Sequence, residues 1–405
     1  VTKRRSSTPP KAGKTSTTTT AGTAIGALIF VLILVLNQCG QQASQPSPTA
    51  TVAATPTIAP TLSDDQTSAI TLPLGWGAQR GFWQVLFTAP SGSRDPASYT
   101  GGIDEYVARA LGSVTRTLDI AAYEFNSAAL TQAVLDAKAR GVRVRVVTDD
   151  EGGTGAENTT LGQLQQAGIP VVADGRRALM HDKFMILDSA TVITGSWNFT
   201  INDTYRNNNN ALILRSQNAV ANYQAEFDEM FVDGRFGPTS PRNTPNTTFT
   251  QDGIPIEMYL GPEDDPMRAV TAAVRAAQQR VRFMAFSFTY DALEEALLEE
   301  AARGLDVQGI FETTGSGTQY SAMAPLLCAG VPVRRDGNPF VLHHKVFIVD
   351  DTTVITGSFN FSSNATDSND ENLIIIRDAA LATQYLAEYD RRWAEAVTPP
   401  GVTCP

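Results

Sequence analysis

His181-Asp182-Lys183-Phe184-Met185-Ile186-Leu187-Asp188, followed by Gly195-Ser196-Trp197-Asn198, returns later in the chain as His343-His344-Lys345-Val346-Phe347-Ile348-Val349-Asp350 and Gly357-Ser358-Phe359-Asn360. The interval from His181 to Gly195 equals that from His343 to Gly357, so no insertion separates the registers. All 3 histidines of the chain fall inside these copies. A chain so sparing with imidazole that sets it twice in one pattern has duplicated a half-site. Equal spacing predicts pseudo-two-fold packing with the two motifs face to face.

Around each copy the apolar pattern alternates between strand and helix. In the first half, strands are predicted at 84–87, 118–123, 142–148, 183–187, 191–194 and 211–214, and helices at 103–111, 128–139 and 220–231, with Gly141 closing the second helix. The second half repeats the order: strands at 256–260, 281–286, 305–311 and 373–376 besides the motif strands, and helices at 267–278, 293–303 and 380–394. This alternation is an α/β pattern with mostly parallel or mixed sheets covered by helices. We place the repeats at 80–235 and 250–396, with a Pro/Asn/Thr-rich linker over 234–252 and a body that starts near residue 74.

The stretch 1–73 reads as leader, membrane-directed segment and stalk. Lys3, Arg4, Arg5, Lys11 and Lys14 precede an apolar run over 24–36, within a segment spanning 21–38. Its length fits a short anchor or a long signal core, and the positive charge before it orients the body outward. Cys39 follows Leu36-Asn37-Gln38, where a lipoprotein signal carries small residues, so the lipidation pattern is only partly met. Residues 41–60, dominated by Ser, Thr, Pro, Ala and Gln, cannot bury a core and read as a disordered tether. The net charge is -11 although this leader is basic, so the body is acidic and a poor general trap for nucleic acid. Cys328 and Cys404 remain in the body, where pairing and two free thiols fit equally. No Cys/His ligand spacing supports a metal site.

At the doubled motif the chain resembles the phospholipase D superfamily, whose signature is HxKxxxxD followed by GSxN in each of two repeats. The resemblance covers about residues 80 to 396. It implies two α-β-α repeats packed side by side with the active site at their interface, and phosphodiester chemistry without metal or cofactor. It further implies that one His forms a covalent phosphohistidine while the other protonates the leaving alcohol and then activates water or a second alcohol.

These residue types suit that chemistry. Imidazole can be nucleophile or acid near neutral pH, so His181 and His343 divide the work. Lys183 and Lys345, two positions on, share the strand face of their His. Their charges, the Asn198 and Asn360 amides and the Ser196 and Ser358 hydroxyls are expected to bind the nonbridging oxygens. Asp188 and Asp350 complete the motif. Each follows four apolar residues and reads as a strand-end residue holding local hydrogen bonds, since a carboxylate beside the phosphate would repel it. His344 is expected on the opposite strand face, away from the chemistry.

The family resemblance also places a polar partner at one fixed interval beyond each His: Glu371 beyond His343, and Asn209 beyond His181. A carboxylate at His343 would favour imidazolium, and an amide at His181 would leave it neutral, so His181 is expected as nucleophile and His343 as general acid. Substrate stays open within the superfamily. The leader and the acidic body point to a phospholipid headgroup at a membrane surface, by hydrolysis or transfer, in an extracytoplasmic monomer. A DNA nuclease is the alternative; a cardiolipin synthase-like transferase and a non-catalytic phosphate-binding protein follow behind.

Overall fold

The four apolar residues between each motif Lys and Asp sit in strands with no exposed residue, Lys183–Leu187 and Lys345–Val349. Such runs belong at the centre of a sheet covered on both faces. In this computed structural model the described residues are 66–404. The leader, the segment at 21–38, Cys39 and the stalk over 41–60 lie outside them.

The first repeat runs β1 (Ser68–Thr71), β2 (Trp76–Arg80), β3 (Trp83–Phe87), α1 (Ile103–Gly112), β4 (Thr117–Ala122), α2 (Ala128–Ala139), β5 (Arg143–Thr148), α3 (Leu161–Gln166), β6 (Val171–Ala173), β7 (Lys183–Leu187), β8 (Thr191–Gly195), α4 (Ile201–Tyr205), β9 (Asn210–Leu214) and α5 (Gln217–Phe231). The second runs β10 (Thr248–Gln251), β11 (Ile254–Gly261), α6 (Pro266–Arg275), β12 (Arg280–Ala285), α7 (Asp291–Ala302), β13 (Asp306–Phe311), α8 (Met323–Cys328), β14 (Val333–Arg335), β15 (Lys345–Val349), β16 (Thr353–Gly357), α9 (Ser363–Asp367), β17 (Glu371–Ile376) and α10 (Ala379–Glu395).

The sheets are ordered β1-β2-β3-β9-β8-β7-β4-β5-β6 and β10-β11-β17-β16-β15-β12-β13-β14. Without β1 the two orders are the same, so the duplication extends to the whole topology. Both sheets are mixed: β4-β5-β6 and β12-β13-β14 pair in parallel, while the motif strands pair antiparallel with their neighbours.

Burial shows five layers. One apolar cluster joins the outer face of the first sheet to α1 and α2 through Val107, Leu130 and Met185, and another joins the second sheet to α6 and α7 through Val270, Leu297 and Phe347. Between the sheets, Tyr223 and Phe227 of α5 and Tyr385 and Tyr389 of α10 pack in a shared cluster with Phe184 and Val346. The α-β-α repeats therefore share one middle layer.

Two boundaries differ from the sequence reading. The start near residue 74 falls inside a hairpin, because β1 pairs with β2 from Ser68 onward. The stretch 234–252 is not all linker, since β10 extends the second sheet. The short α3, β6, α8 and β14 were not anticipated. Cys328 and Cys404 form a disulfide with Cα atoms 5.4 Å apart, which selects pairing from the two readings of those thiols.

Candidate active site

Each motif His stands just before its strand and is anchored by the other repeat. His181 N–H donates to Asp370 O at 3.0 Å and His343 N–H to Asn208 O at 2.9 Å. Parallel bridges Met180↔Asp370 and Asn208↔Leu342 flank these bonds. One connection, used twice under the pseudo-two-fold, stitches the halves together at the site.

The same docking crosses the imidazole partners, contrary to the sequence reading. His181 Nδ1 lies 2.8 Å from Glu371 Oε2, and His343 Nδ1 lies 3.0 Å from Asn209 Oδ1. Glu371 therefore serves His181 and Asn209 serves His343, because β9 and β17 each begin opposite the motif of the other repeat. The expected pairing of Glu371 with His343 is overturned. An acceptor at each Nδ1 holds its proton there and turns the Nε2 lone pair outward.

The serines are already committed. Ser196 Oγ donates to Asn209 Oδ1 at 2.8 Å and Ser358 Oγ to Glu371 Oε2 at 2.6 Å, while each accepts the backbone N–H of Asn210 or Asn372. The hydroxyls expected on phosphate instead orient the partners of the histidines. The motif glycines have an equally local cause. Gly195 (φ +135) and Gly357 (φ +148) pass so close to Asn210 and Asn372 that a Cβ would sit 2.4 and 2.2 Å from their carbonyl oxygens.

Lys183 Nζ donates to His181 O at 2.6 Å and Lys345 Nζ to His343 O at 2.9 Å. Each ammonium also faces an aromatic ring, Tyr123 at 5.1 Å and Phe286 at 4.4 Å. Burial pulls Lys183 down to about 8 against the opposing pull of Glu371, and burial with the neighbouring Lys183 also lowers Lys345. Asn198 Oδ1 and Asn360 Oδ1 are buried without a hydrogen-bond partner. An amide so placed is free to turn its NH₂ toward a bound anion.

Both His181 and His343 sit well below the ordinary imidazole range, through burial first and then the two lysine charges. The His181 charge is among the causes acting on His343, and Lys345 among those acting on His181, so the half-sites feel each other directly. Burial lifts Glu371 to about 8, with Lys183 and the Ser358 hydrogen bond opposing. A phosphate between the lysines would reverse much of this imbalance by supplying the missing negative charge.

Asp188 and Asp350 stand apart from the chemistry. They lie beyond the far ends of β7 and β15, roughly 16 Å along the strand from the motif lysines. Asp188 accepts the backbone N–H groups of Thr115, Arg116 and Thr117, and Asp350 those of Gln278, Gln279 and Arg280. Their place among the catalytic residues is corrected to that of turn anchors, which the strand-end reading had described.

Asp203 went unnoticed in the sequence. Its Oδ2 accepts Asn198 N–H at 2.8 Å and lies 3.6 Å from His343 Nδ1. The matching position in the second repeat is Ala365, so this carboxylate near His343 has no counterpart near His181. A charge present in one copy and absent from the other was the available signal. His344 points away from the site as expected and is fully buried, receiving Asn210 Nδ2–H at Nδ1, 3.1 Å, and meeting Glu388 at Nε2, 3.3 Å.

Residues 107–231 and again 270–393 match the family described as "Cardiolipin synthase, PLD-like domain". The chain is 38% identical over 119 residues to a mitochondrial cardiolipin hydrolase of Xenopus tropicalis, covering 29% of this chain and 57% of that one. It is 32% identical over 139 residues to a phospholipase D of Rickettsia bellii, covering 34% and 69%. The alignment thus spans little more than half the length of the first relative. A phosphatidylserine synthase of Haemophilus influenzae shares the fold, with a TM-score of 0.54 and 13% identity, over 73% of this chain and 85% of that one.

Proposed function

Because the chain belongs to the phospholipase D-like family, matched in both of its repeats, we propose that it is a phosphodiesterase that cleaves a phospholipid headgroup ester through a covalent phosphohistidine, with no metal in the reaction. The observation that carries this reading is the pair of imidazoles, each held at Nδ1 by a residue of the other repeat.

His181 is the nucleophile, on a ground different from the one the sequence offered. When Nε2 bonds to phosphorus the ring becomes cationic, and Glu371 on Nδ1 stabilises that charge as a buried carboxylate does for a catalytic imidazolium. The negative charge of the bound substrate lets His343 take up a proton at Nε2. With a neutral amide at Nδ1 and the Asp203 carboxyl farther off at 3.6 Å, it releases that proton readily as the general acid. In the first step Nε2 of His181 forms the P–N bond, the P–O bond to the headgroup breaks, and the departing oxygen takes the proton from His343. In the second, His343 takes a proton from water, the hydroxyl oxygen bonds to phosphorus, and the P–N bond breaks. An alcohol in place of water gives headgroup exchange. Lys183, Lys345, Asn198 and Asn360 hold the nonbridging oxygens through both steps.

A lipid rather than a nucleic acid is favoured by the net charge of -11. The segment at 21–38 would hold an extracytoplasmic monomer at its surface, and the Cys328–Cys404 disulfide suits an oxidising compartment. Among the described residues no helix is long and apolar enough to cross a membrane. The test is turnover of phosphatidylcholine and cardiolipin vesicles and of single-stranded DNA, in chelator, by wild type and His181→Ala. Lipid turnover lost in the variant supports the proposal. Turnover of DNA alone makes the chain a nuclease, and turnover of neither makes it a phosphate-binding protein.

A further inference from the structure

The back face of the catalytic strand in the first repeat holds an unbalanced cluster of carboxylates. Glu226 and Glu229 of α5 are 1% and 3% exposed, and Glu263, just after β11, is half-buried. One oxygen from each lies within 4.8 Å of the others. Both oxygens of Glu226 and Oε2 of Glu263 are buried without a hydrogen-bond partner.

A separate residue points to something missing there. Asp182 stands between His181 and Lys183, so its side chain projects to the opposite face of the strand. It is fully buried; Oδ1 accepts Asn372 Nδ2–H at 2.6 Å, and Oδ2 has no partner. Its charge is among the causes that raise Glu226, Glu229 and Glu263 together, Glu229 to about 7 and Glu263 to about 9, with burial the largest cause for each. The exposed Arg235 offsets Glu229 only in part.

The second repeat shows how the same place is balanced when the cations belong to the protein. In the register that matches His181 with His343, Asp182 becomes His344, Glu226 becomes Glu388, Glu229 becomes Arg391 and Met230 becomes Arg392. There Glu388 meets His344 Nε2 at 3.3 Å and Arg392 Nε at 3.1 Å, and accepts Trp76 Nε1–H at 3.1 Å. The first repeat has carboxylates or an apolar side chain at every position where the second has a base. Buried carboxylates left unpaired are strongly unfavourable, so they take up either protons or a cation.

We propose that Glu226, Glu229 and Glu263 hold a divalent cation, Ca²⁺ in preference to Mg²⁺, in a structural site behind β7. An all-oxygen carboxylate set suits a hard cation, and its irregular spacing suits the flexible coordination of Ca²⁺ over the strict octahedron of Mg²⁺. Half-buried Glu263 provides the route in. The ion ties α5 of the first repeat to the end of β11 in the second, and it lies within electrostatic reach of Asp182, whose Asn372 contact adjoins Glu371 in sequence. It takes no part in the reaction proposed above, and its test needs no substrate.

The full chain is stripped with EDTA, exchanged into chelator-free buffer at pH 7.5, and titrated with CaCl₂ or MgCl₂ by isothermal titration calorimetry and thermal melting. One Ca²⁺ per chain is expected, with Tm raised by about 5 °C near saturation and a weaker response to Mg²⁺. Glu226→Gln/Glu229→Gln is expected to lose both binding and shift. Glu263→Gln, at the edge of the cluster, gives the same readout with less risk to folding, and should weaken binding at least tenfold. No stoichiometric heat with an unchanged Tm overturns the proposal in favour of protonated carboxyls, as does Ca²⁺ binding that survives in the variants.

Discussion

Glu371 Oε2 lies 2.8 Å from Nδ1 of His181, a residue of the other repeat, and also receives the Ser358 hydroxyl at 2.6 Å. The carboxyl bound at Nδ1 of one imidazole is thus held in place by the GSxN segment of the opposite half-site. The corresponding contact at His343 is an amide, Asn209, held by Ser196 at 2.8 Å. The two halves keep the same geometry and differ in charge.

Glu371→Gln preserves the shape and removes that charge. Turnover should fall by up to about 10⁴-fold, the loss seen when a buried acid behind a catalytic imidazole becomes an amide. The loss should appear in the rate of phosphoenzyme formation, followed by rapid quench. Asn209→Ala should cost less, and the reverse order would remove the basis for distinguishing the two histidines.

His343→Ala removes the proton donor but leaves the proposed nucleophile. On a phospholipid, activity should drop about 10²- to 10⁴-fold. On a p-nitrophenyl phosphodiester, whose leaving group needs no proton, the first step should persist and the phosphoenzyme should accumulate. Peptide mapping is expected to find the adduct on residue 181; finding it on residue 343 in the wild type would exchange the roles.

The pH profile of kcat/KM for the free enzyme should peak near pH 8. Glu371, raised to about 8, loses its negative charge as pH falls, which produces the acid limb. Lys183, lowered to about 8, loses its positive charge as pH rises, which produces the alkaline limb. Lys183→Arg should carry the alkaline limb upward, and Glu371→Gln should flatten the acid one. A profile that keeps both limbs in both variants would assign the titrations elsewhere.

Asp188→Asn tests the turn-anchor role. Backbone hydrogen bonds hold the Asp188 carboxyl below its ordinary range despite some burial. A depressed folded-state value means that its stabilisation is present above the unfolded value, about 3.9, and fades as pH falls through the folded one. The variant should lose about 1 kcal/mol at pH 7 by chemical denaturation, converge with wild type in acid, and keep kcat within about twofold.

The duplicated motif was legible because HxKxxxxD and GSxN recur at one spacing, and the central strands because their apolar runs are unbroken. The crossing of Glu371 and Asn209 was not. Both follow a motif His at the same interval, and no spacing within a repeat reports which half it docks against. β1 and β10 escaped notice because Ser68–Thr71 and Thr248–Gln251 are short edge strands without an apolar run. Asp188 shows the opposite case, since its place after four apolar residues and like-charge repulsion together separated it from the phosphate before its backbone partners were seen. The serines were misjudged because a hydroxyl facing a buried neighbour and one facing a ligand look identical in a sequence.

Since each imidazole takes its Nδ1 partner from across the seam, a change in one repeat reaches the half-site of the other. A substitution at Asn209 alters the chemistry of a histidine encoded 134 residues away. Neither copy is complete alone, and the unlike partners Glu371 and Asn209 make two copies of one motif into unlike half-sites.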